Sequence, residues 1–200
     1  MIINPLFKKI IQILENIPGL GQRQAIRIFF WLIKQDDNFK KRFLEIFSVA
    51  FKEIKLCKNC FFPSLENLCE ICSDKKRRDD ILMIVARETD VLSIETARAF
   101  NGKYFILGGL LLPFEEKKEI EERLKVLNEK LSQNNFQEII IGLPFTREAE
   151  PTKKRLEQIL KKIKNLQVSY LGRGVPFGGE IEFADPDTIK ESLKNREKLL

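Results

Sequence analysis

Hydrophobic side chains in the first quarter of the chain recur every three or four positions, which is the spacing of an amphipathic helix. The three faces that result are Leu6, Ile10, Ile13 and Leu14; Ala25, Ile28, Phe29 and Leu32; and Phe43, Phe47 and Ala50. The turn Ile17-Pro18-Gly19-Leu20-Gly21 is predicted to end the first helix and begin the second. Residues 5–53 are therefore predicted to be helical, with the third helix running from about residue 39 to 52.

The hydrophobic period changes at Ile81. Short apolar runs typical of buried strands occupy residues 81–86, 104–107, 138–142 and 168–171. Helical patterns lie between them, over residues 90–100, 115–131 and 153–163. Strands that alternate with helices in this way predict a parallel sheet covered by helices on both faces.

The end of the chain begins with a glycine-rich loop, residues 173–180, which lacks the lysine and hydroxyl of a nucleotide-binding phosphate loop. A strand is predicted over residues 181–185 and a short helix over residues 186–199. The predicted fold class is thus multi-module, α together with α/β. Its parts are a helical domain (1–53), a cysteine-rich segment (54–78), an α/β domain (79–172) and a C-terminal loop–strand–helix segment (173–200).

Composition excludes several classes of protein. The hydrophobic and charged fractions, 44% and 32%, suit a globular protein. No run reaches the ~20 apolar residues of a membrane span, and the start lacks a signal-peptide pattern, so a soluble cytoplasmic protein is expected. Because the chain has no histidine, it cannot build an imidazole acid–base catalyst, a Ser-His or Cys-His pair, or a histidine metal ligand.

Positive charge is concentrated near the start of the chain. Residues 1–78 contain 15 lysines and arginines against 8 acids, whereas residues 79–200 contain 20 against 21. A basic module joined to a nearly neutral one indicates a polyanionic partner for the first, although a solvated basic surface would have the same composition.

All four cysteines lie in one short segment. Cys57, Cys60, Cys69 and Cys72 have the spacing C-x2-C-x8-C-x2-C. Two C-x2-C pairs and an eight-residue spacer can place four thiolates around one ion. Four sulfur ligands without an open position are typical of structural Zn²⁺, so one structural zinc ion per chain is predicted. Two disulfides, a redox C-x2-C pair and an iron–sulfur site are the alternatives.

The turn between the first two helices has the pattern of a helix–hairpin–helix. Gly19 and Gly21 flank Leu20, and Arg23 and Arg27 begin the second helix four residues apart. Glycines allow the backbone to approach a phosphate closely, and the free N–H groups of a helix N-terminus bind anions. The two arginines would add charge without recognising bases. An ordinary Pro-Gly turn between packed helices is the alternative.

Four blocks of sequence, in order, resemble the bacterial RecR family of recombination mediators. They are IPGLGQRQAIR, the four-cysteine segment, DVLSIE with LGG-L-L-P-F after it, and RGVPFGGEIEFAD. Together they cover about residues 5–196. The resemblance implies a helix–hairpin–helix, a four-cysteine zinc finger, a Toprim domain and a C-terminal segment used in ring assembly. On the same basis Arg23 and Arg27 are DNA-binding residues, together with Gly19 and Gly21, and the four cysteines are the zinc ligands.

The resemblance also implies a partner set that the residues alone do not indicate. It consists of DNA, the RecO and RecF proteins and further copies of the chain, in a tetrameric clamp that helps to load the RecA recombinase at gaps. No membrane and no small-molecule substrate are expected.

The chain departs from the family where a Toprim enzyme would bind Mg²⁺. The glutamate expected at the end of the first Toprim strand is replaced by Ala86, and the nearest acid is Glu88. The family's T-x-E-G-E stretch matches Thr146 to Glu150 only after Phe145 is inserted. A protein without catalytic activity is therefore expected, since active Toprim enzymes need a glutamate and a second acidic pair.

Alternatives remain for the roles of these acids and for the function of the whole chain. Glu148 and Glu150 either contact RecO or lie in a solvated turn, and Asp185 is either a Mg²⁺ ligand or a helix cap. A Mg²⁺-dependent nuclease or primase-like enzyme would use these acids with Glu88. A zinc-dependent protein-interaction adaptor would need none of them.

Overall fold

The structure, a computed structural model, describes residues 4–112 and 118–196. The chain divides into two compact units, one ending at Ile54 and the other beginning at Lys55. Within the described ranges, no helix is both long enough and apolar enough to cross a membrane.

The first unit consists of three helices. They are α1 (Pro5–Glu15), α2 (Gln22–Lys34) and α3 (Asp37–Glu53). The side chains of Asn4 and Asp36 accept hydrogen bonds from the first turns of α1 and α3, which fixes where these helices begin. Only Ile11, Ala25 and Phe29 are buried among the unit's described residues, so its core is small. The predicted helices are present, and α3 begins two residues before its predicted start.

The second unit begins with the cysteine-rich segment. Strands β1 (Lys55–Leu56) and β2 (Pro63–Ser64) pair antiparallel, and a short helix α4 (Glu70–Ser73) follows. These elements are too short to bury a core of their own, and the buried residues of the segment are cysteines.

A four-stranded sheet forms the body of the second unit. Its strands are β3 (Ile81–Val85), β4 (Lys103–Ile106), β5 (Glu138–Gly142) and β6 (Gln167–Tyr170), in the order β4-β3-β5-β6. All three pairings are parallel, as predicted. Helices α5 (Glu88–Ala97), α6 (Lys118–Gln133) and α7 (Glu150–Leu160) connect the strands. The start of the predicted helix 115–131 lies partly outside the described residues.

Alternate side chains of the central strands enter two separate cores, because successive residues of a strand point to opposite faces. Leu82, Ile84 and Phe105 lie in the larger core, with the buried faces of α6 and α7. Met83 and Ile106 lie in the smaller core, which includes Val91 of α5.

The prediction of a strand over residues 181–185 is wrong. Residues Ile181–Phe183 form a 3-10 turn instead, and α8 (Pro186–Lys194) follows it. The backbone N–H groups of Phe183 and Ala184 donate to the carbonyls of Glu180 and Ile181, three residues back, at 3.2 and 3.1 Å. Ile181 and Phe183 are exposed, so their alternation does not mark a strand face. Residues 197–199 of the predicted helix lie outside the described ranges.

Candidate functional site

The four cysteines converge at one point of the second unit. Cys57 and Cys60 lie between β1 and β2, Cys69 caps α4, and Cys72 lies within α4. Their sulfur atoms all lie within 4.8 Å of one another. The sulfurs of Cys60 and Cys69 are 3.5 Å apart, far beyond the ~2.05 Å of a disulfide bond, and all four cysteines are free.

The local backbone is arranged to support negative charge on these sulfurs. The N–H groups of Cys69 and Phe62 donate to the sulfurs of Cys57 and Cys60, at 3.3 and 3.5 Å. The crowding of the thiols opposes this charge. The hydrogen bond with Cys69, a second with Cys72 and burial raise the pKa of Cys60 well above its ordinary value, so that its protonated form is favoured. A cation is the partner that allows several crowded thiols to lose their protons. The donor set therefore suits a metal ion such as zinc.

The cysteine-rich segment is hydrogen-bonded to the sheet and packs against it. The N–H of Ile106, at the end of β4, donates to the carbonyl of Cys60 at 3.0 Å. Phe61 adopts a left-handed backbone conformation (φ 66°), and its ring packs edge-on against Phe105, with 5.4 Å between centroids. The guanidinium of the buried Arg123 lies over the same ring, 4.7 Å from its centroid. The cysteine-rich segment and the α/β domain thus share side-chain packing.

Three cationic side chains at this junction make contacts that the sequence does not predict. Arg123 and Lys130 lie on α6, and Lys103 begins β4. Lys103 donates to three carbonyls around α4, and Lys130 donates to the carbonyl of Asn59. Their partners are 29 to 71 residues away in sequence, so no local pattern identifies them. The sole local signal for Arg123 is its place on the apolar face of a helix.

The turn between α1 and α2 has the conformation that its glycines permit. Gly19 has φ +83°, a region that other residues rarely adopt. Gly21 is the N-cap of α2 and offers no side chain to the first N–H groups of that helix. Arg23 and Arg27 are both exposed on α2. Gly21 and Arg23 thus lie at the start of α2, Gly19 lies in the turn before it, and Arg27 lies one helical turn further along; all four are exposed.

The acids considered for Mg²⁺ have other partners or stand apart. Ala86 is buried at the end of β3, and a carboxylate oxygen of Glu88 lies 4.0 Å from a guanidinium nitrogen of Arg123. Glu150 accepts a hydrogen bond from Lys153 at 2.9 Å, and Asp185 caps α8. In the residues that the structure describes, only the four cysteines form a group of three or more candidate metal ligands.

A crevice of about 800 Å³ opens at the carboxyl ends of the parallel strands. Ala86, Gly108 and Gly142 line it from three neighbouring strands, and Arg87 and Glu148 are among its polar groups. Open α/β sheets bind their ligands in this position. Here the floor has an alanine methyl group where a metal-binding carboxylate would be expected.

Comparison with known proteins identifies the family. Residues 80–172 match the family model for the Toprim domain, and residues 174–197 match that for the RecR C-terminal region. A protein from a Cyanothece species named recombination protein RecR is 32% identical over 194 residues, 96% of this chain and 95% of the relative. The chain belongs to the RecR family.

Two further RecR proteins show the same extent of similarity. That of Brachyspira hyodysenteriae is 33% identical over 94% of each chain. That of Prochlorococcus marinus is 33% identical over 91% of this chain and 95% of its own. The resemblance drawn from the sequence blocks is thereby confirmed, as is a Toprim domain with parallel strands.

Proposed function

We propose that this RecR chain is a non-catalytic, DNA-binding mediator of recombinational repair. In this proposal it acts as a clamp-like oligomer on gapped DNA and, with RecO and RecF, helps to load the RecA recombinase. The observation that carries the proposal is similarity to recombination proteins along more than nine-tenths of the chain, both units included. We assign DNA binding and one assembly surface to residues 1–53, metal-dependent folding to 54–78, partner contacts to 79–172 and a second assembly surface to 173–200.

Binding to DNA is assigned to the turn of the first unit. Its support is the exposed pair Arg23 and Arg27 beside the glycine N-cap of α2. Backbone N–H groups and guanidinium groups recognise phosphates, not bases. Binding is therefore expected to tolerate any sequence and to weaken steeply as salt increases.

Assembly into a ring is supported by apolar surfaces in both units. On α3, Phe47 and Phe51 are exposed at the end of an aromatic row that begins at Phe39. In the C-terminal segment, Phe177 and Phe183 are exposed. Patches of this kind mark protein interfaces. Two separate self-complementary surfaces on each chain allow four copies to close a ring, and we assign one surface to each unit.

The metal in this proposal is one structural zinc ion per chain, held by Cys57, Cys60, Cys69 and Cys72. Zinc bound by four thiolates has no open position, so it supplies folding free energy and no catalysis. The sulfur geometry and the N–H donors to sulfur support this assignment.

The decisive experiment is native mass spectrometry of the protein with and without a gapped duplex. The proposal expects a tetramer that retains the duplex. A monomer that binds no DNA at low salt would contradict it and would favour an adaptor that contacts proteins alone.

A Mg²⁺-dependent enzyme is the second candidate, favoured by the open crevice of the Toprim domain. Incubating gapped and single-stranded DNA with Mg²⁺ or Mn²⁺ tests it. Strand cleavage or synthesis that is lost when Glu88 and Glu148 are both replaced by glutamine would establish the enzyme and refute the non-catalytic proposal.

A further inference from the structure

The junction between the cysteine-rich segment and the Toprim domain contains two lysines to which the proposed function assigns no role. Lys103 lies at the first position of β4, and Lys130 lies near the end of α6. Both are on the Toprim side of the junction, and each contacts the backbone of one C-x2-C pair. They are therefore well placed to influence the metal centre from outside it.

Lys103 contacts the second cysteine pair. Its Nζ donates to the carbonyls of Ile71, Cys72 and Asp74, at 3.1, 3.2 and 2.8 Å. Its side chain is 11% exposed, and the carboxylate of the exposed Asp79 is 3.5 Å away. Three carbonyl partners hold the ammonium group at the end of the helix that contributes Cys72.

Lys130 contacts the first cysteine pair. Its Nζ donates to the carbonyl of Asn59, the residue before Cys60, at 3.1 Å. Burial lowers the pKa of Lys130. The contact with Asn59 places its ammonium group beside the loop that contributes Cys57 and Cys60.

Both lysines place a positive charge near the four thiolates of the proposed zinc site. Four thiolates around Zn²⁺ leave a net double negative charge. Within the partly buried junction this charge is poorly screened by water, so nearby cations stabilise it more than they would at the surface. Backbone N–H donors reach Cys57 and Cys60 but bring no net charge.

We propose that Lys103 and Lys130 balance the charge of the zinc–tetrathiolate centre, one at each cysteine pair, and thereby slow the loss of the metal. This inference depends on the zinc site of the proposed function. It makes metal retention a property of the Toprim domain as well as of the cysteine-rich segment. Both lysines act as positioning residues, because neither binds the metal.

The test compares zinc release from the full chain and four variants. Lys103→Gln and Lys130→Met remove the charge, Lys130→Arg keeps it, and Lys125→Met removes an exposed charge from the same helix as a matched control. The zinc content of each protein is measured first, and release to an excess of a coloured chelator is then followed. Charge removal is expected to accelerate release about tenfold, the usual effect of losing a group that supports metal ligands. Lys130→Arg and Lys125→Met should match the original chain.

Each outcome separates the two levels of the proposal. A purified chain that takes up no zinc refutes the zinc site itself. If all five proteins contain zinc in full and release it equally fast, the zinc site stands and only the role of the lysines is refuted. Equally fast release from Lys130→Arg and Lys130→Met shows that shape and not charge matters, and it overturns the inference. If Lys103→Gln does not fold, as judged by circular dichroism, the three Lys130 and Lys125 variants still decide.

Discussion

Helices α3 and α6 are nearly equal in length, 17 and 16 residues, and both carry an apolar stripe, yet their surroundings differ completely. Five side chains of α6 are buried, among them Leu124 and Leu127 against the sheet. No side chain of α3 is buried. The apolar face of α6 is thus buried within one chain, whereas the apolar residues of α3 are half-buried at most, and Leu44, Phe47 and Phe51 are exposed. An amphipathic helix therefore shows that burial is needed, but not which molecule provides it.

Removing the proposed zinc ion should have the largest effect, confined to the second unit. Structural zinc contributes about 10 kcal/mol or more to the folding of small cysteine-rich segments, and the buried residues of this segment are cysteines. Chelation, or Cys60→Ser, is expected to unfold residues 55–74 and to expose the β4 edge, while α1 to α3 persist. Hydrogen exchange followed by mass spectrometry resolves the two units. Equal loss of protection in both would contradict a metal effect local to the second.

Matched leucines test the difference in burial directly. Leu124→Ala in α6 should lower the free energy of unfolding by about 3 kcal/mol, because it leaves a cavity in a closed core. Leu44→Ala in α3, where Leu44 is 67% exposed, should cost less than about 0.5 kcal/mol in dilute solution. Urea unfolding measures both. If Leu44→Ala becomes costly only as protein concentration rises, the uncovered face of α3 is occupied by another copy.

DNA binding should depend on the first unit and not on the second. Arg23→Ala together with Arg27→Ala is expected to weaken binding to a gapped duplex about tenfold or more and to flatten its salt dependence, since two phosphate contacts are lost. Lys161→Ala with Lys164→Ala removes the same charge from exposed positions of the second unit and should change little. Fluorescence anisotropy over a range of salt concentrations gives, for each double variant, the slope of log affinity against log salt concentration. Identical slopes for the two double variants would refute the assignment to the turn.

How far sequence predicts each part depends on the range of the interactions that define it. The cysteine spacing and the strands of the Toprim domain follow local patterns, and the structure places the four strands within a residue of their predicted bounds. The strand predicted at Ile181 failed because a strand needs a partner, which no local pattern supplies. Lys103, Arg123 and Lys130 were missed for the same reason, since their contacts join residues far apart in the chain.

The smallest predicted effect is electrostatic and concerns the segment that joins the cysteines to the sheet. Arg77 donates to Glu95 of α5 and to the carbonyl of Gly102, and the hydroxyl of Tyr104 also donates to Glu95, at 2.6 Å. The hydrogen bond from Arg77 is the main reason that the pKa of Glu95 lies below its ordinary value of 4.5. The folded state therefore holds this carboxylate ionised at a pH where the unfolded chain has begun to protonate it.

Glu95→Gln should consequently lower stability at neutral pH and matter less in acid. Above the ordinary pKa, Glu95 is ionised in both states and its bonds to Arg77 and Tyr104 stabilise the fold in full. As pH falls towards and through the depressed pKa, the unfolded state takes up the proton first, and this stabilisation is lost. Urea unfolding of the original chain and the variant between pH 7 and pH 3 measures the difference. A difference that stays constant or grows in acid would show that the Arg77–Glu95 pair does not stabilise the second unit through its charge.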